Sequence, residues 1–204
     1  MLNHDHKDAI LPEIVLASGS PRRSEILASV GWGFVKDVPD IDESLREGET
    51  PEGYVERLAL EKASAVARKW PGRLVLGADT TVVLGGEVIG KPADMEDARR
   101  MIGLLSGETH DVITGVALVR DSSSATDIQR TAVTFAAMSD AEIEFLAREG
   151  DPLDKAGAYA VQAQAALFIR GISGDYWNVV GLPINLVYEL YRGFEVAGKT
   201  SGSI

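Results

Sequence analysis

Two adjacent arginines, Arg22 and Arg23, lie in the run SGSPRRSEILA at residues 18–28, directly after the apolar run IVLA at 14–17. The passage reads as strand, tight turn and helix, with Ser20 suited to the N-cap and Pro21 to the first helical position. Cations are the wrong sign there, because a helix N-terminus carries unpaired N–H donors and a partial positive charge of its own. Asp79 poses the opposite problem. It interrupts the apolar run LVLGADTTVVL, where a carboxylate is costly unless it caps a turn, is paired or holds a metal. Asp42 and Glu43 lie in an acidic stretch at 39–51. They are either solvated charges or, together with Asp79, hard oxygen ligands for magnesium. Lys62 stands next to Glu61 on a helical stretch, as a solubilising cation or as part of a site. In DPLDKAGAYAVQ at 151–162, Asp154 and Lys155 precede an Ala-Gly-Ala turn, and residues this small let backbone approach a ligand closely. In GDYWNVVGLP at 174–183, Tyr176 or Trp177 either packs or stacks on a base.

These residues must be carried by a chain of 204 residues with a formal net charge of -11 and no cysteine. The length fits one domain, and the 45% hydrophobic content can build a core. Without cysteine, disulfides and thiolate metal sites are excluded. An acidic chain is a poor general binder of nucleic acid or of an anionic membrane surface, so any anion must be held by a local basic site. The first thirty residues show no basic region followed by an apolar run and a small-residue cleavage site, and no stretch of 18 apolar residues occurs. A soluble, cytoplasmic protein is expected.

The elements that must position the candidates alternate between strand and helix without an internal repeat. Strands are expected at 13–18, within 73–90 as two arms joined at Gly85-Gly86, at 111–121, 128–138 and 165–173. Helices are expected at 20–30, from Pro51 to about 69, from a cap at Asp94 to a stop at Gly107, at 139–150 with a capping box of Ser139 and Glu142, and at 182–194. The class is α/β with a mixed sheet. Residues 1–12, with His4 and His6, are expected to form a flexible leader. Residues 13–194 form the single domain, and 195–204 a flexible tail. Two passages imitate a glycine-rich phosphate loop. Gly193 to Thr200 matches it letter for letter but follows a helix rather than a strand. Gly85 to Pro92 carries a proline where a hydroxyl is required, so Lys91 is not that motif's lysine.

The segments LASGSPRRSEIL, LEKA, GADTTVVLGGEVIGKP, LSGETHDVITGVAL, DPLDKAGAYAVQ and GDYWNVVGLP, in this order, resemble the Maf family of nucleoside triphosphate pyrophosphatases. The resemblance spans roughly residues 13 to 194. It implies a mixed twisted sheet flanked by helices, of the inosine triphosphate pyrophosphatase kind, with two lobes around a substrate cleft. It further implies hydrolysis to the monophosphate and pyrophosphate with Mg²⁺ or Mn²⁺, and a possible homodimer. Residue by residue, Ser20, Arg22 and Arg23 would grip the triphosphate, and Lys62 and Lys91 would add charge. Glu43 and Asp79 would hold the metal and the water, with Asp79 as proton acceptor. Thr directly after that Asp (Thr80) and a Gln after DKAGAY (Gln162) resemble the subgroup that prefers dTTP and UTP rather than 7-methyl-GTP, and Arg22 joins them as a specificity position. The chain departs from the family at AVQAQAALF, where Ala160 and Ala163 stand in place of common glycines. With a triphosphate at the helix N-terminus, the two arginines no longer stand at the wrong end: dipole, free N–H groups and guanidiniums meet one anion. Two rival readings are a nucleotide-binding regulator of cell division without turnover, and the same enzyme with a preference for 7-methyl-GTP.

Overall fold

A computed structural model describes residues 10–201, with side chains through Val196. The elements are β1 (Ile14–Ala17), α1 (Pro21–Ser29), β2 (Phe34–Lys36), α2 (Pro51–Ala67), β3 (Val75–Leu84), β4 (Glu87–Ile89), α3 (Met95–Leu105), β5 (Thr109–Arg120), β6 (Ser123–Phe135), α4 (Asp140–Glu149), β7 (Ile169–Ser173), α5 (Tyr176–Val180) and α6 (Ile184–Ser201). Seven strands form one mixed sheet in the order β2-β1-β3-β5-β6-β7, with β4 also paired to β3. The architecture is the α/β class expected.

Alternation along the strands sorts the core onto two faces. Ile14, Leu16, Leu74, Leu76 and Ala78 join the larger core, with Ile26 and Leu27 of α1, Ile102 of α3 and Val187 of α6. Val15, Ala17 and Val75 face the other way, onto Ala59, Ala63 and Val66 of α2. Two glycines let α2 lie directly on the sheet. A Cβ at Gly77 would meet the Ala59 carbonyl oxygen at 2.2 Å, and one at Gly115 the Val55 carbonyl oxygen at 2.3 Å.

The feature that makes a cleft is a change of partner along β3. Its first residues, through Gly77, pair in parallel with β1. From Val82 onward the same edge pairs antiparallel with β4. Between the two, residues 78–81 pair only with β5.

Several elements differ from expectation. β2 is only three residues long, too short to show a pattern, and is held by parallel pairing to β1. β6 begins at Ser123 rather than 128, because backbone pairing with β5 extends through a polar stretch whose side chains are largely exposed. Residues 164–167 form a 3₁₀ turn, so β7 starts at Ile169. α5 is a short helix inside the expected loop at 174–183, capped by the Asp175 carboxylate on the Trp177 N–H. Ser20 stands at the N-cap of α1, but its side chain makes no capping bond. The Ser139–Glu142 capping box forms as expected. Leu11 packs on the core and the Pro12 carbonyl accepts from Trp32 Nε1, so the last residues of the expected leader are tied down. Residues 1–9, with His4 and His6, lie outside the described residues. α6 continues to Ser201, through much of the expected tail, with no proline after Phe194 to stop it, so Gly193 to Thr200 is helical. Among the described residues no helix is long and apolar enough to cross a membrane.

Candidate active site

The cleft where β3 changes partner has a volume of about 560 Å³, and all nine sequence-predicted site residues line it: Ser20, Arg22, Arg23, Glu43, Lys62, Asp79, Thr80, Lys91 and Gln162. Alternation on β3 divides the work between its two faces. Asp79 shares the face of Val75 and Gly77 and therefore points at α2. There the Lys62 ammonium donates to Asp79 Oδ1 at 2.6 Å and lies 2.9 Å from Glu43 Oε1. Thr80 points to the opposite face, toward α1 and the turn after α5. Its hydroxyl lies 2.9 Å from that of Thr114, its register partner on β5.

Asp79 is buried, and desolvation pushes its carboxyl above the ordinary range; Lys62 and Arg23 pull against that shift, and Glu43 adds to it. Such a carboxylate is a better proton acceptor than a free one. Asp79 and Glu43 bring two hard oxygen donors to one point, where an ammonium now neutralises them. Among the described residues no group of three or more metal-ligating side chains exists. Two carboxylates are nevertheless what magnesium uses when water and phosphate oxygens complete its shell, so the pair fits a divalent cation.

The cations differ in how they are held. Arg23 is buried, and each of its three nitrogens makes one bond to the wall. Its Nε donates to the Gly181 carbonyl at 2.9 Å, Nη1 to Ser18 Oγ at 3.1 Å and Nη2 to Thr80 Oγ1 at 3.2 Å. It ties the end of β1, β3 and the turn after α5 together. Arg22 reaches across the cleft to Asp154, with Nη1 3.1 Å from Oδ2. Lys155 is buried and donates to the same carboxylate at 2.6 Å and to the Asp151 carbonyl. Lys91 follows β4 at the cleft edge, is exposed, and forms no ion pair among the described residues. Asp42 does not line the cleft; its Oδ1 accepts from the Ser44 N–H at 2.9 Å and shapes the acidic loop.

Sequence reasoning did not single out Tyr54 or Ser18, and gave Lys155 no role. Tyr54 lines the cleft and donates from its hydroxyl to the Glu43 carbonyl at 2.9 Å. Its hydroxyl is pushed up to about 12, by burial first and then by Asp79 and Glu43, so it stays a donor. The available signal was helical spacing, since Tyr54 lies eight residues before Lys62 on one face of α2. Tyr159 forms the base of the cleft, with its hydroxyl 2.7 Å from Nε2 of the buried His110 and its ring edge-on to Phe135. Tyr176 and Trp177, expected either to pack or to stack on a base, meet each other edge-to-face and do not line the cleft.

The fold and sequence have relatives. A protein of Symbiobacterium thermophilum named dTTP/UTP pyrophosphatase is 48% identical over 193 residues, covering 95% of this chain and all of that one. One of Myxococcus xanthus with the same name is 52% identical over 171 residues, covering 84% and 87%. The Ham1 protein of Staphylococcus aureus shares the fold at a TM-score of 0.50 and 17% identity, over 89% of this chain and 98% of that one. The family described as Maf-like protein matches residues 13–194. That span contains every element of the cleft from the end of β1 to the turn after α5, and the chain belongs to the Maf family.

Proposed function

We propose that the chain is a nucleoside triphosphate pyrophosphatase that hydrolyses dTTP and UTP to the monophosphate and pyrophosphate. One observation carries this reading: two carboxylates, Asp79 and Glu43, converge on one point of a cleft that Arg22, Arg23, Lys62, Lys91 and Lys155 also line. The relatives' names point to the same reaction and bases.

In this reading Ser20 and the free N–H groups opening α1 receive phosphate oxygens, with Arg22 and Lys91 as counter-charges. Arg23 keeps the wall in shape from behind. Asp79 and Glu43 would hold a divalent metal, Mg²⁺ or Mn²⁺, which when bound neutralises charge gathering on the phosphate oxygens. Asp79 accepts the proton of a water whose oxygen attacks the α-phosphorus. The bond from that phosphorus to the bridging oxygen breaks, and pyrophosphate leaves with the electron pair. The upward shift of the Asp79 carboxyl suits it to that proton. Thr80, Gln162 and Arg22 are the positions that choose the base.

The test is incubation of the purified protein with Mg²⁺ and each of dTTP, UTP, CTP, ATP, GTP and 7-methyl-GTP, with products separated by chromatography. Monophosphate and pyrophosphate from dTTP and UTP are expected. Diphosphate and orthophosphate would overturn attack at the α-phosphorus. Tight binding with no product from any nucleotide would favour the regulator.

A further inference from the structure

Glu43 must meet Asp79, yet it lies in the stretch 37–50, which contains neither helix nor strand. Something other than a backbone ladder has to hold it there. The side chains that hold the loop around Glu43 come from α2. At helical spacing, Tyr54, Arg57 and Glu61 lie at i, i+3 and i+7, one above another, with Lys62 beside Glu61.

Arg57 is the centre of this set. Its Nε and Nη2 take both oxygens of Glu49 at 2.6 and 2.7 Å, its Nη1 lies 3.3 Å from Glu61 Oε2, and Nη2 also donates to the Ser44 carbonyl at 3.1 Å. The preceding carbonyl, that of Glu43, is taken by Tyr54. Two consecutive carbonyls of the loop, Glu43 and Ser44, are thus pinned from one helix face, and the Arg57 guanidinium lies 5.6 Å from the Tyr54 ring centre. Glu49 in turn accepts from the Arg46 N–H, and Arg46 reaches back to Glu61 at 2.9 Å. Isolated surface ion pairs contribute little, but a two-pronged arginine–carboxylate fork shielded from water is the strong case. The Arg57 and Glu49 side chains are only 13% and 12% exposed, and the fork holds the Glu49 carboxyl down at about 2.

We propose that Arg57 is the positioning residue that fixes the Glu43 loop over the cleft, an inference that rests on the reading of Glu43 as a metal-holding carboxylate. Lysine cannot substitute, because it lacks the planar fork.

Two measurements on the full chain test this. Hydrogen exchange followed by mass spectrometry reads the loop without turnover. In Arg57→Met, amides at 43–50 should exchange at least about tenfold faster, while those of β3 and β5 keep their rates. Arg57→Lys should fall nearer the methionine variant than the wild type. The second measurement is the Mn²⁺ concentration for half-maximal hydrolysis. It should rise about tenfold in Arg57→Met with kcat at saturating Mn²⁺ within about threefold, and not rise further when Glu43→Gln is already present. Unchanged loop exchange overturns the clamp, as does an Mn²⁺ shift of full size in the Glu43→Gln background. Should Arg57→Met fail to fold, Glu49→Gln weakens the same fork with shape preserved and must show the same pattern. Exchange is read whether or not a triphosphate is hydrolysed, so failure of the functional reading and failure of the clamp appear separately.

Discussion

The two carboxylates that meet at Lys62 are held by opposite means. Asp79 stands in a ten-residue strand, in register with Gly115, and its side chain is 10% exposed. Glu43 stands in a loop, with its side chain 49% exposed, and is kept there by α2 side chains. Moving Asp79 means breaking a sheet; moving Glu43 means breaking a handful of side-chain bonds. One wall of the cleft is built for permanence and the other for adjustment. Such a division suits a site that must keep a base in register and still admit a large charged ligand.

Breaking the fixed wall at its reactive atom should have the largest effect. Asp79→Asn keeps the shape and removes the proton acceptor, and should lower kcat by about 10²–10⁴-fold at saturating metal. A rate within about threefold of wild type would remove Asp79 from the chemistry and leave it a partner of Lys62.

A smaller loss is expected from unseating the helix that both walls share. In Gly77→Ala the new methyl would press on the Ala59 carbonyl at 2.2 Å and the Ala63 nitrogen at 2.8 Å, all backbone and unable to rotate away. α2 must rise from the sheet, which should reduce stability by about 3 kcal/mol, the upper end for overpacking. The urea midpoint reads it. The same displacement lengthens the 2.6 Å contact from Lys62 to Asp79, so activity should fall along with stability. A midpoint unchanged by this substitution would mean that the fixed wall is less rigid than its contacts imply.

What was legible in the sequence follows the same division. Strand alternation already put Asp79 and Thr80 on opposite faces, and the Gly85-Gly86 turn gave the β3–β4 hairpin. Neither said which helix would cover which face, because the placement of α2 depends on Gly77 of β3 and Gly115 of β5, two register positions apart, both lying beneath its backbone. Arg23 read as a ligand for phosphate. Its bond to the Gly181 carbonyl, 158 positions away, is one that no local pattern reveals. Lys62 was readable as a site cation through the family resemblance, but its two carboxylate partners appear only in the fold. Tyr54 and Arg57 were lost inside an ordinary amphipathic helix. Their polar spacing was visible, but its purpose lay in a loop without periodicity.

The smallest expected effect extends the comparison to a third edge of the cleft, between α1 and the segment at 151–155. Asp154 satisfies Arg22 from one side and Lys155 from the other, at 3.1 and 2.6 Å, and its side chain is half exposed. It occupies these cations as a bound anion would, so a triphosphate reaching Arg22 must compete with it. Arg22 and Lys155 bond different oxygens of this carboxylate, so Asp154→Asn removes the competing charge and leaves an acceptor for only one of the two cations. Because exposed pairs are screened and weak, the KM for the triphosphate should fall only about two- to fivefold, more at low ionic strength than at high, with kcat nearly unchanged. Steady-state kinetics at two salt concentrations decides it. A KM that rises instead would mean that Asp154 orients Arg22 for the ligand rather than standing in for it, and this edge of the cleft would then be pre-formed like the Asp79 wall.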